Sequence, residues 1–308
     1  MKRREENKMK IHASLSALLI ACCLGSGCAM AGELSGTLQK IKQSGSISLG
    51  YREGSMPFSY YDGKSQAVGY SHDIMLKIAD AIKQELKLPK LDIRLLSITS
   101  QNRIPLTLNN TIDLECGSTT NNTERQKQVA FSNTLFVIGT RLMTRKDSGI
   151  KDFPDLAGKS VVTDAGTTSE ALLRKMQDEK KMNMKIIVTV DHGIDPLTIL
   201  QTGQAQAYMM DDALLYALIS EAWRPNEWIV TGKPQSFEAY GCMMRKNDPE
   251  FKQLVDRTIA RIMRSGEAEV LYKKWFMSPI PPKGINLNFP MSEDMIKLFK
   301  NPNDRAFE

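Results

Sequence analysis

Apolar residues along this chain recur at every second position in some stretches and at helical spacing in others, and the two rhythms alternate down its length. Residues 38–44 make a short amphipathic helix stopped by Gly45, and residues 47–51 alternate as a strand. That strand opens into a loop over 52–62, marked by Gly54 and Pro57. Ile74, Leu76, Ile78, Ala81 and Ile82 predict a helix over 72–86. A second strand at 91–96 runs into 98–103, and Pro105 suits the first turn of the helix that follows. Leu114 and Cys116 read as the end of a third strand, which stops in Gly117-Ser118-Thr119-Thr120 before residues 129–131 return to the core.

A long strand at 136–144 leads into a second series with its own rhythm. It comprises a strand ending at Val162, a helix over 171–177, a strand over 185–190, a short helix over 197–203 and a strand over 205–210. A strand at 228–230 follows, and residues 239–244 form the strand that returns to the first series. Helices over 248–265 and 267–275, a proline-rich wrap from Pro279 and a last helix over 292–300 complete the chain. This order predicts an α/β protein with mixed sheets flanked by helices on both faces. Two strands, 136–144 and 239–244, cross between the series. The expected layout is therefore two lobes on a two-stranded hinge. Residues 32–139 and 240–308 make the first lobe and residues 140–239 the second.

The first 31 residues read as a secretory signal peptide: a basic start, an apolar run over 13–24 and an Ala29-Met30-Ala31 cleavage site. Lipoprotein processing at Cys22 or Cys28 is the competing reading of the same segment. No other segment is apolar for long enough to span a membrane, so the mature chain is expected to be soluble. Formal charge is +6, from 41 basic and 35 acidic residues, and half of it lies in the leader. The remainder is too weak and too dispersed for a nucleic-acid partner. Cleavage after Ala31 leaves Cys116 and Cys242. In an oxidising compartment they suggest one disulfide, against the alternative of two buried free thiols. No Cys/His cluster has metal-ligand spacing, and nothing calls for a cofactor.

In an open α/β sheet, ligands gather beyond the C-terminal strand ends. Arg52, Ser100, Arg103, Ser118, Thr120 and Arg125 all follow strands and are expected at one rim. Three guanidinium groups there suit carboxylates held bidentately. Gly166 before Thr167-Thr168-Ser169-Glu170 is a helix start able to offer N–H groups to an anion, although a plain capping box accounts for the same residues.

Several runs carry a resemblance: Arg52-Glu-x-Ser-x-Pro-Phe-Ser-Tyr-Tyr-Asp62, Ile98-Thr-Ser-Gln-Asn-Arg-Ile-Pro105, Glu115-Cys-Gly-Ser-Thr-Thr-Asn-Asn122, Gly166-Thr-Thr-Ser-Glu170, Asp191-His-Gly193 and Met209-Met-Asp-Asp212. Over nearly the whole mature chain they resemble the periplasmic amino-acid-binding proteins of ABC importers, in the glutamate/aspartate-binding branch. The resemblance implies a type II periplasmic-binding-protein fold that closes on one dicarboxylic amino acid. It also implies a periplasmic monomer that delivers L-glutamate or L-aspartate to a membrane permease. Carried over by position, Arg125 grips the α-carboxylate beside the Thr168 helix start, and Asp211 with Ser118 and Thr120 takes the α-ammonium. Arg52, Arg103, Ser100 and His192 are left for the side-chain carboxylate. Arg125 and Asp211 suffice for a zwitterion, so the remaining arginines imply a second negative charge on the ligand.

The chain departs from the branch at 194–197, where one residue is inserted, at Gln204, where a basic residue is usual, and at Ser71, where an acidic one is. A dehydratase of the same fold acting on a prephenate-like diacid is the alternative function, with His192 or Glu115 as its general acid.

Overall fold

The computed structural model describes residues 34–191 and 193–306. The segment read from the sequence as a signal peptide, the lipidation candidates Cys22 and Cys28, and His192 lie outside the described residues.

Helix α1 (Gly36–Ser44) precedes strand β1 (Ser46–Tyr51), and three short strands follow, β2 (Gly54–Ser55), β3 (Ser59–Tyr61) and β4 (Ala67–Val68). The segment expected as a plain loop thus folds into a small antiparallel sheet. Phe58 at its centre is fully buried and draws the backbone inward. Then come α2 (Tyr70–Glu85), β5 (Asp92–Ser97), α3 (Arg103–Leu108), β6 (Leu114–Glu115), α4 (Thr123–Gln126) and β7 (Val129–Arg145). The second series is β8 (Ser160–Asp164), α5 (Thr168–Lys180), β9 (Lys185–Thr189), α6 (Pro196–Gln201), β10 (Ala207–Asp211), α7 (Asp212–Glu221) and β11 (Trp228–Thr231). The chain returns through β12 (Phe237–Arg245) and ends in α8 (Pro249–Arg264), α9 (Glu267–Phe276) and α10 (Glu293–Lys300).

The main sheet has the order β5-β1-β6-β12-β7-β10-β8-β9, with β11 also on β7. The long strand β7 belongs to both halves. Its first part, to Gly139, pairs with β12, and its second part, from Thr140, pairs with β10 and β11. It begins at Val129, seven residues before the strand read from the sequence, because the polar run Ser132-Asn133-Thr134 does not interrupt it. The Asn133 N–H donates to Asp256 Oδ1 at 2.6 Å and the Thr134 N–H to Asn303 O at 2.8 Å, while the β12 partner shifts register nearby. Backbone donors that the ladder leaves open are thus satisfied from α8 and the C-terminal segment.

Helix α7 carries no sequence-level signal of amphipathicity. Its run Ala213-Leu-Leu-Tyr-Ala-Leu-Ile219 is apolar all round because both sides are used. Ala213, Leu215 and Ala217 are buried, while Leu214 and Leu218 face a cavity and Tyr216 meets Phe289.

The first half of the molecule is built on an aromatic cluster in which Phe136 stacks on Phe276 and Tyr272, with Phe58, Tyr70 and Tyr240 edge-on around them. Cys116 and Cys242 are joined by a disulfide that ties the end of β6 to β12. Asp113, just before β6, has a structural role: its fully buried carboxylate accepts from Lys40, Arg245 and the Ser48 N–H.

Candidate functional site

Arg52 leaves the end of β1 with its backbone N–H fixed by Ser59 Oγ at 2.9 Å, and the residue is buried. Beyond β5, Thr99 and Asn102 exchange hydrogen bonds of 2.8 and 3.1 Å, closing a tight turn that presents Ser100 and starts α3 at Arg103. Arg103 is 2 % exposed; its Nη1 donates to Thr119 Oγ1 at 2.6 Å and to Ser118 O at 3.4 Å, and its Nε has no partner. Burial, with Arg125 and Arg52 nearby, lowers its pKa to about 9, so it stays cationic at neutral pH. Gly117 makes this crowding possible, since a Cβ there would meet Glu115 Oε1 at 2.7 Å and Arg52 Cγ at 3.0 Å.

Arg125 sits in α4, whose cap Asn122 accepts from the Arg125 N–H at 2.9 Å. Its guanidinium donates to Thr120 O at 2.9 Å and reaches Gly166 O of the second series at 3.3 Å. Burial lowers its pKa, opposed by Glu238, Glu115 and Asp211.

On the opposite wall, Thr167 caps α5, and the next residue, Thr168, donates to Glu238 Oε2 at 3.0 Å. The Gly166 N–H is not free for an anion, because Glu170 Oε2 already accepts it at 2.9 Å. The capping reading of that motif is therefore the correct one for this N–H. Asp211 ends β10, accepts from Thr140 Oγ1 at 2.8 Å and from the Tyr240 hydroxyl, and is 4 % exposed. Burial and the neighbouring Glu238 carboxylate raise its pKa to about 7.

A cavity of about 290 Å³ lies between these walls. Arg52, Ser100, Arg103, Ser118, Thr120, Thr168 and Asp211 all line it. Arg125 is not among the lining residues, and His192 is outside the described residues. The structure thus gathers side chains from five strand ends at one rim, with an α-amino-acid-sized space among them.

Residues 47–278 match the bacterial extracellular solute-binding proteins, family 3. The chain belongs to that family. It is 54% identical over 97% of its length to the L-glutamate/L-aspartate-binding protein of Pseudomonas aeruginosa, covering 99% of that protein. It is 58% identical to the glutamate/aspartate import solute-binding protein of Salmonella typhimurium, over 88% of this chain and 89% of that one. Among solved structures, an ancestral arginine-binding protein bound to arginine superposes with a TM-score of 0.67 at 27% identity, over 75% of this chain and 98% of that chain. The fold is the two-lobed type II architecture of periplasmic binding proteins, each lobe a sheet flanked by helices.

For a family 3 solute-binding protein, the charge around the cavity is more mixed than the sequence implied. Counting arginines against Asp211 alone gave a surplus of positive charge. The structure adds Asp164, Asp191, Asp195 and Glu221 to the lining, all from the second lobe. Asp191 pairs with Arg52 at 2.7 Å, so that guanidinium is not unopposed. Burial pushes the Asp164 and Glu221 carboxyls up, and Asp164 accepts from Tyr208 at 2.7 Å and from Thr189. These acids were missed because helix- or strand-end position alone does not tell a carboxylate that faces a cleft from one that faces water. The positive charge is instead concentrated on one wall, at Arg52 and Arg103, with Glu115 close by. Glu115 is fully buried beside Arg103 and Thr119, and burial raises its pKa.

Proposed function

We propose that this protein captures L-glutamate or L-aspartate between its lobes and delivers it to the membrane permease of an ABC importer. The observation that carries the reading is Arg103: a buried cation on the cavity wall whose hydrogen bonds, among the described residues, go to a hydroxyl and a carbonyl. Its acidic neighbour Glu115 is driven toward the neutral form by burial. A buried cation in that setting is stabilised by a carboxylate brought in by the ligand. The relatives above half identity are named for glutamate and aspartate, which supports the same ligand class.

In this reading Arg52, Arg103 and Ser100, with His192, hold the side-chain carboxylate. Asp211, Ser118 and Thr120 hold the ammonium. Arg125 takes the α-carboxylate beside Thr168 by exchanging its 3.3 Å hydrogen bond to Gly166 O. The lobes divide at residues 139/140 and 239/240, supported by the change of β7 partners at Gly139 and Thr140. Residues 1–31 direct export to the periplasm, where the protein acts as a monomer. A dehydratase on this scaffold has little support: the relatives carry binding-protein names, and of its candidate acids His192 and Glu115, Glu115 does not line the cavity.

Titration calorimetry against a panel of amino acids tests the proposal. Glutamate and aspartate are expected to bind with glutamine and arginine far weaker; tighter binding of arginine or glutamine overturns it. Native mass spectrometry of the protein as purified gives an independent readout through any carried-through ligand.

A further inference from the structure

Among the described residues, an ion pair bridges the cleft. Asp191 stands on the loop after β9 in the second lobe, whereas Arg52 and Ser100 follow β1 and β5 in the first. Both carboxylate oxygens are used: Oδ1 accepts from Arg52 Nη2 at 2.7 Å and Oδ2 from the Ser100 N–H at 2.9 Å. The Arg52 side chain is 8% exposed and that of Asp191 27%, so the pair is shielded from solvent on the arginine side. Val190 and Ile194 are exposed, and a 2.8 Å turn bond from the Gly193 N–H to Val190 O is local to the loop. A guanidinium and a main-chain amide gripping two oxygens of one carboxylate is a recognition geometry, here satisfied from across the cleft.

The pair leaves room for a ligand. Arg52 lines the cavity, and Asp191 engages its guanidinium through Nη2. A guanidinium tethered at one edge loses rotational freedom, and the ordering cost of presenting the other edge to a ligand falls. The charge asymmetry of the walls points the same way, with arginines on the first lobe and Asp164, Asp191, Asp195 and Glu221 on the second.

We propose that Asp191 is a positioning residue that docks on Arg52 and Ser100 when the lobes close, fixing the Arg52 guanidinium for the ligand carboxylate and holding the closed state. The role in recognition rests on the acidic amino-acid reading; the role in closure does not. Binding of the ligand first to one lobe and closure afterwards then separate kinetically. Asp191 acts on dissociation, because its contact exists only after closing.

The test uses the full mature protein, Asp191→Asn, Asp191→Glu, Arg52→Gln and the double variant Asp191→Asn/Arg52→Gln. Stopped-flow measurement with L-glutamate is expected to give roughly tenfold faster dissociation in Asp191→Asn with association little changed. Partial recovery is expected in Asp191→Glu. In the Arg52→Gln background the asparagine change should add little, since its partner is gone. An unchanged dissociation rate, or tighter binding as for a displaced competitor, overturns the proposal. The distance between labels on the two lobes, read without ligand, is a second measurement: the asparagine variant should populate open separations more than wild type, and identical distributions overturn the closure role. Failure of wild type to bind glutamate or aspartate would sink the ligand reading alone, because the unliganded distances still report on Asp191.

Discussion

The Tyr240 hydroxyl donates to Asp211 Oδ2, joining the strand that returns to the first lobe to the last residue of a strand in the second. Thr140 from β7 donates to the other oxygen, so both crossing strands converge on one carboxyl group. Glu238 and Asp212 are its acidic neighbours, and burial with Glu238 raises its pKa to about 7. An acid whose folded pKa exceeds its unfolded value adds stability at low pH, and that contribution is lost as pH rises through the folded value. In the empty protein Asp211 therefore contributes fully below 3.8 and loses its contribution as pH rises through about 7. A ligand ammonium favours the ionised form, so binding on the acid side of neutrality expels a proton. Affinity should climb toward pH 7 and level off above it. Calorimetry at pH 6 in two buffers of different ionisation enthalpy should register proton release that is absent at pH 8. Tyr240→Phe removes a bond to the ionised form and should shift the inflection upward, with a loss of about 1–2 kcal/mol in affinity near neutrality.

Arg103→Ala removes the buried cation assigned to the ligand's second carboxylate. The expected loss of glutamate affinity is about 3–5 kcal/mol, the scale for leaving one member of a buried pair alone. Calorimetry on the folded variant reads it directly, and unchanged affinity would remove Arg103 from the site. Arg103→Lys should recover only part, because a point charge cannot serve Thr119, Ser118 and the ligand from one plane.

Gly166 has φ +74°, and a Cβ there would lie 3.0 Å from Ser100 O and 3.2 Å from Gln101 Cα on the opposite lobe. Gly166→Ala should obstruct closure while leaving each lobe intact. Weaker glutamate binding through faster dissociation is expected, with a thermal midpoint lowered by roughly 2–4 °C in the absence of ligand. The strained φ adds about 1 kcal/mol or more to the folded state of the variant.

The disulfide between Cys116 and Cys242 closes a sequence separation of 126 residues and anchors the base of the Gly117–Thr120 wall to the hinge strand. Replacing both cysteines with alanine should cost about 2–5 kcal/mol in denaturant unfolding. The wall it supports carries Ser118 and Thr120, so glutamate binding should be lost at lower denaturant in the variant.

The chain's hydrophobic rhythm was enough to place most strands and helices, because period 2 and helical spacing record which faces are buried. It also placed Arg52, Ser100, Arg103, Ser118 and Thr120 after strands, and strand ends of such sheets converge by topology. Helix α7 was not legible, since a segment buried on one side and lining a cavity on the other shows no polar stripe. The start of β7 was hidden for a related reason: Asn133 and Thr134 owe their place in a strand to Asp256 and Asn303, far away in sequence. The motif runs identified the kind of site, but the pairing of charges within it belonged to tertiary structure. Asp191 and Arg52 are separated by 139 residues, and nothing local to either specifies the other. Residue type and spacing are set by the chain alone. Which carboxylate meets which guanidinium, and which stays buried without one, depends on how two lobes approach, and Coulomb energy depends on separation in space, which sequence order does not record.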